Sequence, residues 1–185
     1  VTPDSRYAVA GSIQTRTINV IDTATDEVVW ELEMDAGIRP MTFSTNADGS
    51  TKSIFVQLSG FHGFAVVDFA LQAEVARVEL PAIPGQEAHY DGLQGAPAHG
   101  LGVPPDGKTV WATSKVYSHA YVYSLPELEP VGQIFVGQHP EWITFTPDGK
   151  TAYIGAAGDH VTYAVDVERM ETVAVIPVGQ VPKRV

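Results

Sequence analysis

The stretch T-P-D-G-K-T-A-Y-I-G-A-A at residues 146–157 decides the fold, because its pattern recurs elsewhere in the chain. Its first four residues form a turn, in which proline presets φ, aspartate caps the turn and glycine accepts a positive φ. The apolar run that follows is typical of a strand. The same turn signal occurs three more times, at Thr2-Pro3-Asp4-Ser5, Asn46-Ala47-Asp48-Gly49 and Pro104-Pro105-Asp106-Gly107. The chain therefore contains an internal repeat.

The repeat is built from short strands. The aspartates of successive turns are 44, 58 and 42 residues apart. Each repeat carries apolar, β-branched or aromatic runs of a few residues with turn residues between them, and no segment has a helical period. Four strands in ~42 residues are typical of one propeller blade. We therefore predict an all-β fold, a β-propeller of four-stranded antiparallel blades with about four blades present.

These residues resemble the YVTN-type β-propeller repeat. The resemblance rests on residues 146–157, on V-D-V-E-R-M-E-T-V-A-V-I-P-V-G at 165–179 and on Val20-Ile21-Asp22-Thr23-Ala24-Thr25, although no copy spells Y-V-T-N. It implies a bacterial periplasmic or surface protein, similar to the haem-d propeller of nitrite reductases. Functions in this family are diverse, so the fold alone does not define the function.

We expect one propeller domain or fragment. Its predicted parts are blades at about 2–36, 37–80, 99–137 and 139–179, an inserted top-face loop at 81–98 and a closing strand at 181–185. The first blade lacks its innermost strand. The family usually closes with about seven blades, so three arrangements stay open: a four-bladed ring, a two-chain ring of eight, and part of a seven-bladed ring. We favour the last, in which the remaining blades come from another segment or a second chain.

Composition excludes several classes of function. The chain has 22 acidic and 11 basic residues and a net charge of −11, which repels nucleic acid. No apolar run approaches the ~20 residues of a membrane span. Cysteine is absent, which excludes disulfides, thiolate zinc sites and cysteine nucleophiles. No signal peptide is visible at Val1, so we expect upstream residues to be missing and, from the resemblance, a periplasmic or extracellular location.

One face of the predicted propeller collects the chemically useful residues. If the Pro-Asp-Gly turns define the bottom face, all six histidines fall on the top face. Aligning the repeats brings one polar residue per blade to the start of an innermost strand, and these strands surround the central funnel. We predict a ligand site there for a small molecule or a protein. Its residues are Arg39, His99, Glu141 and Lys183, with Tyr90 and Trp142. The competing interpretation is that these residues are simply solvated.

A metal site is the sharpest alternative. His89, His99 and His139 come from different connections, and imidazoles suit copper, zinc or haem iron. Glu141 or Asp91 could add a carboxylate. No local ligand-spacing motif supports this site. The leading hypothesis is thus an exported binding or scaffold module, and the alternative is a periplasmic oxidoreductase with metal or haem in the funnel.

Hydrolysis is a weaker hypothesis. A lactonase-like activity is known for some propellers of this general kind, but Ser59, Ser114 and Ser118 lack a G-x-S-x-G setting. Asp22, Asp68 and Asp166 recur at one repeat position, which indicates turn caps rather than catalysis. The sequence leaves open whether the protein is an enzyme.

Overall fold

The computed structural model describes residues 1–184, and all regular structure in that range is β-strand. This confirms the all-β prediction. No helix with the length and apolar character needed to cross a bilayer occurs in the described part of the chain. The strands are β1 (Tyr7–Gly11), β2 (Thr17–Asp22), β3 (Glu27–Glu33), β4 (Ile38–Thr45), β5 (Thr51–Leu58), β6 (Gly63–Asp68), β7 (Ala73–Glu79), β8 (Ala98–Gly102), β9 (Thr109–Ser114), β10 (His119–Ser124), β11 (Pro130–Phe135), β12 (Pro140–Phe145), β13 (Thr151–Ala156), β14 (Val161–Asp166) and β15 (Glu171–Pro177).

The strands form four antiparallel sheets, each a meander in sequence order. Blade 1 contains β1–β3, blade 2 contains β4–β7, blade 3 contains β8–β11 and blade 4 contains β12–β15. Blade 1 has three strands and the others have four, so the missing innermost strand of blade 1 was correctly expected. The long connection runs from β7 to β8, and its last predicted residue, Ala98, already belongs to β8.

Aspartates fix the turns on the bottom face. Asp148 Oδ1 accepts hydrogen bonds from the Thr146 hydroxyl and from the Lys150 backbone N–H. Asp68 Oδ1 accepts the backbone N–H groups of Ala70 and Leu71 in the turn after β6. Both patterns are Asx-type turns, in which a short carboxylate replaces a backbone acceptor. The recurrent aspartates are therefore structural.

The core lies between blades, because successive residues of a strand face opposite sides of its sheet. Ile54 of β5 packs with Ile18 of blade 1, whereas its neighbour Phe55 packs with Tyr121 of blade 3. Trp111 of β9 packs with Ile154 of blade 4 in the same way. Three apolar clusters thus join four sheets side by side, which is the architecture of a propeller.

The sheets do not close into a complete ring in this chain. Every residue of β15 is exposed. Within the described residues, therefore, no further sheet packs against blade 4 on the side away from blade 3. After β15 the chain turns back toward blade 4, where the Lys183 carbonyl accepts the Trp142 backbone N–H at 3.2 Å. The segment predicted as a closing strand, 181–185, thus lies beside β12, and residues 181–184 do not form a regular strand. Its last residue, 185, lies outside the described range.

Candidate functional site

The innermost strands β4, β8 and β12 lie side by side, with β8 in the middle. The first residue of each of these strands is paired in register with a residue of the next strand in the same blade. The pairs are Ile38 with Leu58, Ala98 with Ser114, and Pro140 with Ala156. The residues one position further on are Arg39, His99 and Glu141. The structure therefore places these three at equivalent positions of neighbouring blades, as the sequence alignment of the repeats expects.

A buried ion pair lies at the start of these innermost strands. Lys115 Nζ lies 2.8 Å from Glu141 Oε1, and the two side chains are only 1% and 4% exposed. Lys115 follows β9 directly and comes from the turn at the top of blade 3. Charges removed from water this completely persist only when they are paired, so each group needs the other.

The backbones of β8 and β12 approach each other closely beside this pair. The Thr113 hydroxyl donates to the Glu141 carbonyl at 2.9 Å and accepts the Gly100 N–H at 2.6 Å. A Cβ on Gly100 would stand 2.1 Å from that carbonyl oxygen, so only glycine fits. The position of Glu141 is therefore set by the packing of blade 3 against blade 4.

His99 lies beside this buried pair, and its side chain is 14% exposed. Its Nδ1 lies 3.2 Å from Glu141 Oε2, and neither atom has a hydrogen bond of good geometry within residues 1–184. Burial lowers the pKa of His99 to about 4, and the positive charges of Lys115, Lys183 and Arg39 act in the same direction, whereas Glu141 opposes them. His99 is therefore neutral at pH 7.

The inserted connection contacts this group of residues through Gln94. Arg39 donates to the Gln94 carbonyl oxygen at 3.0 Å and to the Ser59 hydroxyl at 2.9 Å. Lys183 Nζ donates to the Gln94 side-chain oxygen at 3.1 Å. One neutral residue thus bridges a cation from blade 2 and a cation from the C-terminal segment. Arg39, His99, Glu141 and Lys183 do converge, and Gln94 joins them.

Trp142 and Tyr90 differ in their surroundings. Trp142 packs edge-on against His99 with ring centroids 5.5 Å apart, and the Arg184 guanidinium lies 4.6 Å from the centroid of the indole. Tyr90 lies on the inserted connection and is 69% exposed. The structure therefore brings Trp142 into the funnel group and leaves the Tyr90 ring in solvent.

The three predicted metal ligands separate into a pair and a single residue. The rings of His89 and His139 lie 5.7 Å apart, next to Gly92 of the inserted connection. His99 faces Glu141 instead. Within residues 1–184 no group of three or more histidine, aspartate or glutamate side chains is arranged to hold a metal ion.

Ser59 and Ser114, two of the three serines considered for hydrolysis, have structural side-chain partners. Ser59 accepts from Arg39. Ser114 is fully buried, lies 2.7 Å from His62 Nε2 and accepts the Tyr117 backbone N–H at 3.0 Å. A buried hydroxyl with these bonds is positioned to hold the top turn of blade 3 against blade 2.

Two clefts lie on the bottom face, which sequence reasoning did not anticipate. One, of about 250 Å³, lies between blades 2 and 3 and is lined by Lys52, Phe55 and Pro126 among others. The other, of about 500 Å³, lies between blades 3 and 4. Its walls include Asp106, Lys108, Trp111, Lys150 and Met170. Both are open grooves between blades, away from the funnel group.

Sequence reasoning missed Lys115 and Gln94. Ser59, Lys115 and Ala157 occupy equivalent positions, because the backbone N–H of each donates to the residue that precedes its innermost strand: Gly37, Pro97 and His139. Ser59 and Ala157 have small side chains, so the long cationic side chain of Lys115 was a signal in the sequence that the top turn of blade 3 differs from the others. Gln94 gave no comparable signal, because the inserted connection has no counterpart in the other repeats.

Solved structures with this architecture are propeller-type proteins. Hydrazine synthase from Kuenenia stuttgartiensis matches 97% of this chain and 48% of its own chain, with a TM-score of 0.77 and 18% identity. A 6-phosphogluconolactonase-like protein from Bacteroides fragilis matches 100% and 55%, with a TM-score of 0.74 and 19% identity. A protein of unknown function from Desulfotomaculum acetoxidans matches 100% and 56%, with a TM-score of 0.78 and 15% identity.

These similarities define the class of protein: a β-propeller module. At 15–19% identity they show the fold alone, and the chain spans about half the length of these structures. No protein-family model matches the chain. No curated protein matches it either.

Proposed function

We propose that this protein is a β-propeller binding module that presents the funnel on its top face to a small ligand. The observation that carries the proposal is the convergence of Arg39, Lys183 and Gln94 above the buried group of His99, Glu141 and Lys115. Polar groups that converge at the axis of an apolar scaffold are a common form of ligand site. A protein partner on the same face is the variant of this proposal for a larger ligand.

The buried group gives the site rigidity. Lys115 and Glu141 hold each other, and Glu141 is fixed by the contact between β8 and β12. A ligand that meets side chains already held in place loses less free energy to ordering them. Among residues 1–184 the hydrogen-bond partners of Arg39 and Lys183 are neutral oxygens, which ligand atoms can replace.

Export to the periplasm or cell surface belongs to this proposal, and it rests on the resemblance to the repeat family. Completion of the ring by further blades belongs to it as well. The support is the exposed β15 and the match to about half of each propeller structure.

The second candidate is a metal site for redox chemistry, and the pair of His89 and His139 favours it. Two imidazoles on one metal ion, each bound at about 2.0 Å, would have a similar ring separation. Burial lowers the pKa of His139, which favours the neutral form of the imidazole that binds metals. These two residues would hold the metal, and it would supply electron transfer when bound. Added Cu²⁺ or Zn²⁺ should then bind to the wild type and not to a variant with His89→Ala and His139→Ala.

Backbone-amide NMR of the ¹⁵N-labelled chain tests the binding function. A panel of anionic, cationic and neutral small molecules is titrated, and the perturbed amides are mapped on the fold. The proposal expects saturable shifts at residues 94–99, 139–142 and 183. Shifts confined to the bottom-face clefts, or none with any probe, would overturn it.

A further inference from the structure

The funnel has the opposite charge to the rest of the molecule. The chain carries a net charge of −11. The charged groups that act on His99, however, are one carboxylate, Glu141, which acts most strongly, and three cations, Lys115, Lys183 and Arg39. Arg184 adds a further cation above Trp142. A cationic site in an acidic protein indicates a specific local use for the positive charge.

The carboxylate is already engaged. Glu141 Oε1 is bound by Lys115, which leaves Arg39, Lys183 and Arg184 as the uncompensated cations of the funnel. Within residues 1–184 none of these three lies within ion-pair distance of a carboxylate, whereas Arg77 on the outer side of blade 2 pairs with both Glu74 and Asp35. The cations of the funnel therefore differ from a paired cation elsewhere on the surface.

Gln94 occupies the place that an anion would take. Its two oxygens, one from the backbone and one from the side chain, accept hydrogen bonds from Arg39 and Lys183 respectively. A carboxylate or phosphate group also presents two oxygens, and its negative charge adds an attraction to arginine and lysine that a neutral amide oxygen lacks. Gln94 is exposed and lies at a positive φ of 54° next to Gly95, so it is part of a turn that could give way.

We propose that the ligand of the funnel is a small oxyanion, carried by a carboxylate or a phosphate group, whose oxygens replace those of Gln94 between Arg39 and Lys183. This inference rests on the proposed binding function and names the chemical class of the ligand. Arg39 supplies the forked donor and Lys183 the point charge. The neutral His99 and the Trp142 ring border the remainder of the ligand.

The test is isothermal titration calorimetry at constant ionic strength with four probes: succinate, inorganic phosphate, the neutral succinamide and the cationic putrescine. We expect saturable binding of succinate or phosphate and none of succinamide or putrescine. Whichever anion binds more tightly identifies the carboxylate or the phosphate as the ligand group. Arg39→Gln with Lys183→Gln should weaken binding by about a hundredfold, since each charged hydrogen bond is worth about tenfold or more. The single variant Lys183→Gln changes an exposed side chain only and should still weaken binding about tenfold.

The matched control is Lys108→Gln with Lys150→Gln, which removes two cations from the larger bottom-face cleft. Its affinity should equal that of the wild type. Gln94→Asn tolerates the positive φ but is too short to reach Lys183, so it should tighten binding about threefold.

The outcomes separate the two proposals. If succinamide or putrescine shifts the funnel amides as strongly as the anions do, the binding function stands and the oxyanion is wrong. If the bottom-face control loses anion binding and the funnel variants keep it, the site is misplaced and the oxyanion inference fails. If no probe of any charge binds at the funnel, both proposals fail. If the Gln94→Asn variant binds the anion as tightly as the wild type or more weakly, the inference that ligand oxygens replace those of Gln94 is wrong.

Discussion

The two faces of this propeller use their polar residues in opposite ways. On the bottom face the same residue recurs: Asp68 and Asp166 both accept backbone N–H groups in equivalent turns. On the top face the equivalent positions of blades 2, 3 and 4 hold three different residues, Arg39, His99 and Glu141. A residue type that recurs at the same position has a structural role, because the blades share the same turn. A residue type that changes from blade to blade is not required by the repeat, so such positions are the better candidates for a functional site.

The largest expected effect is on the top face, at the buried ion pair. Glu141→Gln leaves the Lys115 ammonium buried without a counter-charge, which should lower the free energy of unfolding by about 3–5 kcal/mol. Urea denaturation followed by circular dichroism measures the change. The double variant Glu141→Gln with Lys115→Met removes both charges and should be more stable than Glu141→Gln alone. An additive double variant would show that the two groups do not interact.

A dependence on pH should also separate the faces. Burial lowers the pKa of His99 from 6.5 to about 4, so between these values the unfolded chain takes up a proton that the folded chain does not. The stability contributed by neutral His99 is therefore complete above pH 6.5 and declines as the pH falls to about 4. His62 and His139, whose pKa values burial also lowers, act in the same direction.

Urea midpoints at a series of pH values test this, with His99→Asn as the comparison. The variant should lose less stability than the wild type between pH 6.5 and pH 4. Equal losses would mean that His99 is not buried in its neutral form.

The bottom-face aspartates should respond only at lower pH. The hydroxyl of Thr146 lowers the pKa of Asp148 below 3.8, and the Thr2 hydroxyl does the same for Asp4. Their contribution is present above pH 3.8 and is lost as the pH falls through the lowered values. Amide exchange of the turns, measured by NMR from pH 7 to pH 2.5 and corrected for the intrinsic exchange rate, should therefore change only below about pH 4, and a change near pH 6 would contradict this.

Removal of one bottom-face cap should cost less than removal of the buried pair. Asp68→Ala deletes the acceptor for the Ala70 and Leu71 N–H groups and should destabilise by about 1 kcal/mol. Asp68→Asn keeps a side-chain oxygen and is the matched control, with most of the stability retained. Equal losses in the two variants, measured by urea denaturation, would show that the charge rather than the hydrogen bond matters.

The smallest effect is expected at the exposed pair of Lys108 and Asp106 on the bottom face. Their charged atoms are 3.7 Å apart, and the side chains are 80% and 52% exposed. Solvent screens such pairs, so Lys108→Gln should change the free energy of unfolding by less than about 0.5 kcal/mol. A larger loss would mean that a bottom-face charge is structurally important, and the contrast between the faces would weaken.

Most of the fold could be predicted because it depends on local patterns. Turn residues such as Asp148 and Gly149 and the alternation of Ile54 and Phe55 are visible within one strand and its turn. The equivalence of Arg39, His99 and Glu141 followed from the same repeat. These features need only the chain on either side of them.

The rest depends on contacts between distant segments. The hydrogen bond from Lys183 to Gln94 joins residues 89 positions apart. To predict it, one would need the path of the inserted connection, which has no counterpart in the other repeats. The pairing of Lys115 with Glu141 required two blades to be packed against each other. The equivalent positions of Arg39, His99 and Glu141 were therefore predictable, whereas the bonds that these residues form were not.

The stacking of Arg184 on Trp142 makes the funnel observable by optical methods. Of the three tryptophans, Trp111 is sealed between blades 3 and 4 and Trp30 packs on Phe69, so neither reports on the axis. Trp142 lies under a cation and beside an imidazole, and both neighbours alter indole fluorescence when they move. The chain thus carries its own fluorophore beside the proposed site, and a change in its emission on adding a probe would report binding there without an attached dye.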